Sequence, residues 1–140
     1  MKLGACVPLE YYSSLVEYGY SSIALAAKDV AAWNEAELES ARQLLSSGPL
    51  ERISLNNFCP ATLRMHGPGY SPEAVLRYTQ TVLQRGQLLG FRYLGLGAPT
   101  SRNLLDGENA EEAMVQFRQL LGALCDLAEE YGMEILLGNL

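Results

Sequence analysis

The sequence lacks several features that mark membrane proteins and nucleic-acid-binding proteins. No apolar run reaches the 18 or so residues that a membrane-spanning helix needs, and the apolar run near the N-terminus is interrupted by Pro8 and Glu10 too early for a signal peptide. Basic residues are scarce, since 10 Lys+Arg stand against 16 Asp+Glu, for a net charge of -6. A surface of that sign repels phosphate backbones and anionic lipids. We therefore expect no nucleic-acid partner and no membrane partner.

Cysteine and histidine are also scarce. Cys6, Cys59 and Cys125 lie far apart, with no Cys-x-x-Cys spacing, which indicates neither a disulfide framework nor a zinc site. Such cysteine usage is typical of a reducing compartment, so we expect a cytoplasmic location and three small buried thiols. His66 is the only histidine and lies in a loop rich in Gly and Pro. It is the one candidate for acid–base catalysis, although an unpartnered loop histidine is normally just solvated.

Motifs for nucleotide binding are missing or incomplete. There is no Walker A sequence, and no glycine pattern follows the first β-like run. Gly95 and Gly97 form a Gly-x-Gly pair without the third glycine, and Pro99 removes a backbone donor where phosphate binding needs one. A dinucleotide-binding fold is therefore not favoured.

The chain has enough apolar material for one core but too few residues for a whole α/β barrel. Its 140 residues are 49% hydrophobic and 19% charged, which predicts a single folded domain over residues 1–140 rather than a disordered tail. A complete eight-stranded α/β barrel takes about 250 residues, and at least ~200. The sequence therefore predicts at most part of such a barrel.

Short β-like runs alternate with longer helical segments. Helix starts are marked by Asn34 with Glu37, by Ser71 before Pro72 and by Asn109. Strict alternation with tight turns after the helices predicts parallel strands joined by right-handed crossovers. The predicted strands are Leu3–Val7, Tyr20–Ala26, Arg52–Asn56, Phe91–Leu96 and Met133–Leu137.

The long loops, 57–70 and 97–108, both follow predicted strands. Loop length is thus concentrated at the carboxyl ends of the strands, where open doubly wound sheets and closed barrels both place their chemistry. A flavodoxin-like sheet of five strands fits the length as well as a partial barrel does. Periodicity alone leaves this choice open.

Motifs spread along the whole chain carry a resemblance to a known family. They are Met1-Lys2-Leu3-Gly4-Ala5-Cys6, Leu55-Asn56-Asn57-Phe58-Cys59-Pro60, Gly67-Pro68, the loop from Gly97 through Arg102 to Asp106-Gly107, and the segment 128–137. In order and spacing they resemble the N-terminal half of the xylose-isomerase-like TIM-barrel family of sugar phosphate isomerases and epimerases. The resemblance implies an α/β fold of parallel (β/α) units, a partial TIM barrel of about five strands and four helices. It also implies a sugar or sugar phosphate substrate and a divalent metal.

The sequence departs from that family where the metal is held. The family's fifth strand ends in Glu-Pro-Leu and its Glu is a metal ligand, whereas Gly138-Asn139-Leu140 stands here. The family usually has an acidic residue at the end of its second strand, where Ala24 stands here. The family's loop after the fourth strand usually begins Gly-Ser-Gly, where Gly97-Ala98-Pro99 stands here. Metal-assisted proton transfer next to a sugar carbonyl needs a Lewis acid and a base. We therefore predict no metal ligand and expect the 140-residue chain to be incomplete or inactive as an isomerase.

Three further residues are candidates for substrate binding. Asn57, at the end of the third strand, could bond a sugar hydroxyl, and Arg102 could bind a phosphate or carboxylate. Glu10, just after the first strand, could point into a site. The ordinary alternatives are a turn residue, a surface arginine and an acid in the first turn of a helix.

The aromatic residues near the N-terminus are predicted to be mainly structural. Trp33, just before the Asn34 cap, is either a hydrophobic staple or a wall over a barrel mouth, and the sequence does not decide between these roles. Core packing is the expected role of Tyr11, Tyr12, Tyr18 and Tyr20.

Two alternatives to an incomplete isomerase remain. The chain could be a non-catalytic half barrel that self-associates or pairs with a partner, because an unclosed parallel sheet leaves two apolar edges. A weaker alternative is a relative of the abasic-site endonucleases in the same superfamily. That chemistry also needs several metal ligands, and an acidic surface disfavours DNA.

Overall fold

The computed structural model describes residues 1–138, in which five strands alternate with helices. The strands are β1 (Gly4–Cys6), β2 (Ser22–Ala26), β3 (Glu51–Asn56), β4 (Tyr93–Leu96) and β5 (Glu134–Leu137). The helices are α1 (Tyr12–Glu17), α2 (Ala27–Ala32), α3 (Glu35–Ser47), α4 (Pro72–Leu89), α5 (Pro99–Arg102) and α6 (Ala110–Glu130), with a 3₁₀ turn at Leu9–Tyr11.

All neighbouring strands are parallel, and their order in the sheet is β1-β2-β3-β4-β5. A flavodoxin-like sheet would place its first strand between the second and third. The sequential order therefore removes that alternative and confirms the predicted partial TIM barrel. Helices α1, α3, α4 and α6 are the four predicted from periodicity. Helices α2 and α5 were missed because six and four residues are too few to establish a periodic pattern.

The core lies between the sheet and the helices. In β2, Ile23 and Leu25 are fully buried against the helices, while the alternating residues are only partly covered. The other face of the sheet, called the inner face here, carries mostly small side chains. Asn56 lies on it against Gly95, where a Cβ atom would come within 2.5 Å of Asn56 Oδ1.

The predicted helix caps are present. In α3, Asn34 Oδ1 accepts the Glu37 N–H at 2.8 Å and Glu37 Oε2 accepts the Asn34 N–H at 2.7 Å, a complete capping box. Ser71 Oγ accepts a backbone N–H at the start of α4, and Asn109 Oδ1 accepts two at the start of α6. Gly90 follows α4 with φ +80°, a backbone conformation that favours glycine.

Some predicted positions in the core are wrong. Tyr12 is buried, but Tyr11 and Tyr18 are 50% and 77% exposed, because a helix as short as α1 turns only part of its surface inward. Cys6 and Cys125 are exposed rather than buried, since Cys6 lies on an edge strand. Among residues 1–138, none of the helices combines the length and apolar character needed to cross a membrane.

Arg85 links α4 to α2, because its side chain caps the carboxyl end of α2. Its Nη1 donates to the carbonyl oxygens of Val30, Ala31 and Trp33 at 2.8, 3.2 and 2.7 Å. These carbonyl oxygens lie at the carboxyl end of α2, where the helix has no further N–H donors to offer them. The side chain is only 16% exposed, so water replaces it poorly.

Replacing Arg85 by methionine keeps the aliphatic stem but removes the donors. We expect Arg85→Met to lower the free energy of unfolding by about 1.5–3 kcal/mol, because charge-assisted hydrogen bonds are lost from partly buried carbonyls. Urea denaturation measures this. Arg42→Met is the control, since the Arg42–Glu39 ion pair is exposed and such pairs contribute little. Equal effects of both substitutions would contradict the role of Arg85.

Candidate functional site

A cavity of about 260 Å³ opens at the carboxyl ends of β3 and β4. Asn57 and Cys59 line it from the loop after β3, Thr100 and Ser101 from α5, and Lys28 from the start of α2. Parallel (β/α) folds place their active sites at this end of the sheet. The cavity is therefore the candidate functional site, and it contains one of the predicted substrate-binding residues, Asn57.

Two strained backbone positions border this cavity. Among residues 1–138, Asn57 (φ 48°) and Ala98 (φ 49°) are the non-glycine residues with positive φ. Asparagine tolerates this region better than most residues, whereas alanine has no polar side chain to compensate. Strain of this kind costs of order 1–3 kcal/mol per residue and concentrates at functional sites. Asn57 directly follows β3, and Ala98 is the second residue after the neighbouring strand β4.

His66 joins the two long loops that contribute to this cavity. It is 4% exposed, with Nδ1 2.6 Å from Glu108 Oε1 and Nε2 2.7 Å from the Arg102 carbonyl oxygen. The expectation of a solvated histidine is therefore wrong. The partners lie 36 and 42 residues away in sequence, which is why the local sequence gave no sign of them.

Both groups that face the His66 ring are acceptors. The backbone N–H of Leu105, then His66 and Arg64, hold the pKa of Glu108 below its usual value despite burial, so its carboxyl is ionised near neutral pH. A carboxylate and a carbonyl oxygen cannot donate. A neutral imidazole donates to one of these two acceptors and an imidazolium donates to both, and the pair is a buried histidine–carboxylate contact.

Arg64 adds further bonds between the same loops. Its Nη1 donates to Thr100 O and Asn103 Oδ1, each at 2.9 Å, and its Nη2 donates to Asn103 O at 2.8 Å. The same guanidinium lies 3.5 Å from Glu108 Oε2. We call Arg64, His66 and Glu108 the loop clamp. Arg64 was not predicted, because an arginine in a loop has no distinctive local pattern.

Arg102 is engaged with the backbone rather than directed into the cavity. Its Nη1 donates to the carbonyl oxygens of Gly97 at 2.8 Å and Gly138 at 3.1 Å, and its guanidinium carbon lies 4.8 Å from the centre of the Phe117 ring. It thus ties the ends of β4 and β5 together. Arg102 and His66 also border a smaller cavity of about 160 Å³ beside Phe117.

Glu10 lies elsewhere. It lines a groove of about 640 Å³ between α3 and the segment after β1, together with Asp29 and Trp33. The structure therefore groups Asn57 with Lys28, and His66 with Arg102, but does not bring Glu10 to either group. Lys28 was missed because the short helix α2 was not predicted.

Cys59 is a poor nucleophile in this setting. Burial raises the pKa of its thiol, and Sγ lies 3.3 Å from Ser101 Oγ. A thiol that stays protonated near neutral pH reacts slowly. Its contact with Ser101 instead holds the two loops together at the wall of the cavity.

The residues that the structure describes do not fit a divalent metal. Over residues 1–138, no three His, Cys, Asp or Glu side chains are placed to hold a metal ion together. Gly138 lies at the end of β5 against Gly97, and a Cβ atom there would come within 3.3 Å of Gly97 Cα. Asn139 and Leu140, which correspond to the rest of the family's Glu-Pro-Leu, lie outside the described residues.

Comparison with solved structures finds clear similarity of fold. D-psicose 3-epimerase in the presence of D-fructose matches with a TM-score of 0.78 and 13% identity, over 96% of this chain and 51% of that chain. 3-Keto-D-glucoside 4-epimerase from E. coli matches with a TM-score of 0.74 and 13% identity, over 98% of this chain and 55% of that chain. The IOLI protein with a bound zinc atom matches with a TM-score of 0.70 and 16% identity, over 98% of this chain and 51% of that chain.

These matches confirm the predicted resemblance at the level of the fold. The chain shares the fold of the corresponding part of these three proteins and spans about half the length of each. No family model matches the sequence. A search of curated proteins also finds no match.

The loop clamp predicts a pH-dependent contribution of Glu108 to stability. Because the pKa of Glu108 is lowered in the folded chain from the usual 4.5, its ionised form stabilises the fold above that pH, and this stabilisation is lost as the pH falls below 4.5 through the folded-state value. Glu108→Gln should therefore unfold more easily than wild type at neutral pH, with a difference that shrinks in acid.

Urea denaturation over a pH series measures this difference. Glu129→Gln, at an exposed position near the end of α6, is the control and should show a small difference at every pH. If Glu108→Gln lost as much stability in acid as at neutral pH, the ionised clamp would be refuted.

Proposed function

We propose that this chain forms the sugar-binding part of an isomerase or epimerase of the xylose-isomerase-like kind. The observation that carries the proposal is the cavity at the carboxyl ends of β3 and β4, bordered by strained backbone at Asn57 and Ala98. The similarity to epimerases of keto sugars supports the choice of substrate class. A cytoplasmic location accords with small sugar phosphates as ligands.

The cavity offers suitable chemistry for a sugar. The Asn57 amide can both donate to and accept from hydroxyl groups, and the Lys28 ammonium can pair with a phosphate. The loop clamp holds the walls in place before a ligand arrives, which reduces the entropy lost on binding. The cavity volume of about 260 Å³ is close to the lower end of the range of small-molecule sites.

Catalysis requires more than the cavity supplies. Proton transfer next to a sugar carbonyl uses a Lewis acid to hold the oxygens and a base to move the proton. The residues described here do not supply a metal-binding set. We therefore propose that residues 1–138 bind the sugar and that the metal ligands come from further (β/α) units, in the same polypeptide or a partner.

Binding can be tested with D-fructose and its 6-phosphate. We expect both to shift the NMR amide signals of residues 57–61 and 98–101, with the phosphate binding more tightly. Asn57→Gly removes the amide while glycine adopts φ 48° without strain, and it should weaken both ligands by about tenfold. Lys28→Gln should weaken only the phosphate.

Arg118→Gln is the matched control, because Arg118 is an exposed cation on α6 outside the residues that line the cavity. It should leave both affinities unchanged. Absence of shifts around the cavity, or equal effects of Lys28→Gln and Arg118→Gln, would contradict the proposed site.

A second candidate is a non-catalytic half barrel that pairs through its open edges. Strands β1 and β5 each have one neighbour in the sheet, and Leu136 and Leu137 of β5 are 50% and 49% exposed. Unprotected edges of this kind promote association. The abasic-site endonuclease alternative has less support, because the chain carries a net charge of -6.

Edge pairing predicts self-association that depends on β5. We expect sedimentation to show a mass that increases with concentration, and Leu136→Lys to reduce it, because a charge on an edge strand opposes pairing. Leu88→Lys places the same charge at a leucine of α4 that is 52% exposed and should have little effect. A folded monomer at all concentrations would contradict self-association.

A further inference from the structure

The groove beside Trp33 has a composition different from that of the candidate sugar site. It measures about 640 Å³ and shares no lining residue with the cavity between β3 and β4. This volume falls within the range of small-molecule sites, roughly 300–1,000 Å³. Its walls come from three separate segments: the 3₁₀ turn after β1, α2 with the residue that follows it, and α3.

Apolar side chains and carboxylates both line the groove. Leu9, Trp33 and Leu44 provide an aliphatic and aromatic surface. The ionisable groups among the lining residues are Glu10, Asp29 and Glu37, with no Lys or Arg among them. A groove with an aromatic surface and only acidic charges complements a ligand that is both alkyl and cationic.

The arrangement of these groups is partly fixed. Glu37 is held by the capping box, through Oε2 to the Asn34 N–H. Trp33 is held at the backbone by the bond from Arg85 to its carbonyl oxygen, and its side chain packs partly against the core. Trp33 is therefore positioned before a ligand arrives, which reduces the cost of ordering it.

We propose that this groove binds an organic cation in which ammonium groups are joined by an alkyl chain, such as a polyamine. The alkyl segments contact Leu9 and Leu44, an ammonium group lies over the indole face of Trp33, and the others pair with Glu10 and Asp29. Tryptophan is the most favourable ring for cation–π contacts. The net charge of -6 also attracts cations at long range. The inference does not depend on the proposed sugar function.

Trp33 provides its own reporter, because it is the only tryptophan of the chain. Titration with spermidine should change Trp33 fluorescence in a saturable manner, and high salt should weaken the binding because exposed charges are screened. Glu10→Gln combined with Asp29→Asn should weaken it by about tenfold. Glu129→Gln combined with Glu130→Gln, on α6, removes the same charge elsewhere and should leave the affinity nearly unchanged.

Three results would overturn the proposal. The first is a fluorescence signal that does not saturate. The second is equal weakening by the two double variants, which would indicate only general attraction to an acidic surface. The third is binding of a neutral disaccharide or a lysine-rich peptide in place of spermidine. D-fructose serves as an additional probe: it should leave Trp33 fluorescence unchanged whether or not it binds at Asn57.

Discussion

The buried contact between His66 and Glu108 determines the arrangement of both long loops. A charge so well covered is expensive unless it is paired and bonded, and here each ring nitrogen and the carboxylate have partners. Arg64 bonds the same two loops, and these loops carry most of the residues that line the cavity at Asn57. Removing one member would leave the other buried and unpaired, which is more costly than removing both.

The main features of the fold could be predicted from local signals. Capping residues such as Asn34 and Ser71, together with periodic apolar residues, indicate where the long helices begin, and the structure places them there. The alternation of elements then restricts the sheet to parallel strands. The order of the strands could not be derived from periodicity, because it depends on how strands pair across the whole chain. The resemblance to a barrel family supplied that information.

The site was less predictable than the fold. Asn57 could be singled out because it directly follows a strand. His66, Glu108 and Arg64 interact over 36 residues or more, so nothing in the sequence near any of them signals the pairing. Lys28 was overlooked for another reason: it belongs to a helix too short to have a recognisable period. Glu10 was placed correctly after the first strand but faces a separate groove.

The small side chains of the inner face have a consequence for whatever covers it. Protein interiors reach a packing density of about 0.74, and the interior of an eight-stranded barrel is filled in layers by large branched residues. Positions such as Gly95, Gly97 and Ala24 contribute almost no volume to such layers. In the complete barrel proposed above, the opposite wall would bring longer side chains across the midline at these positions, and its volume would complement this sheet rather than mirror it.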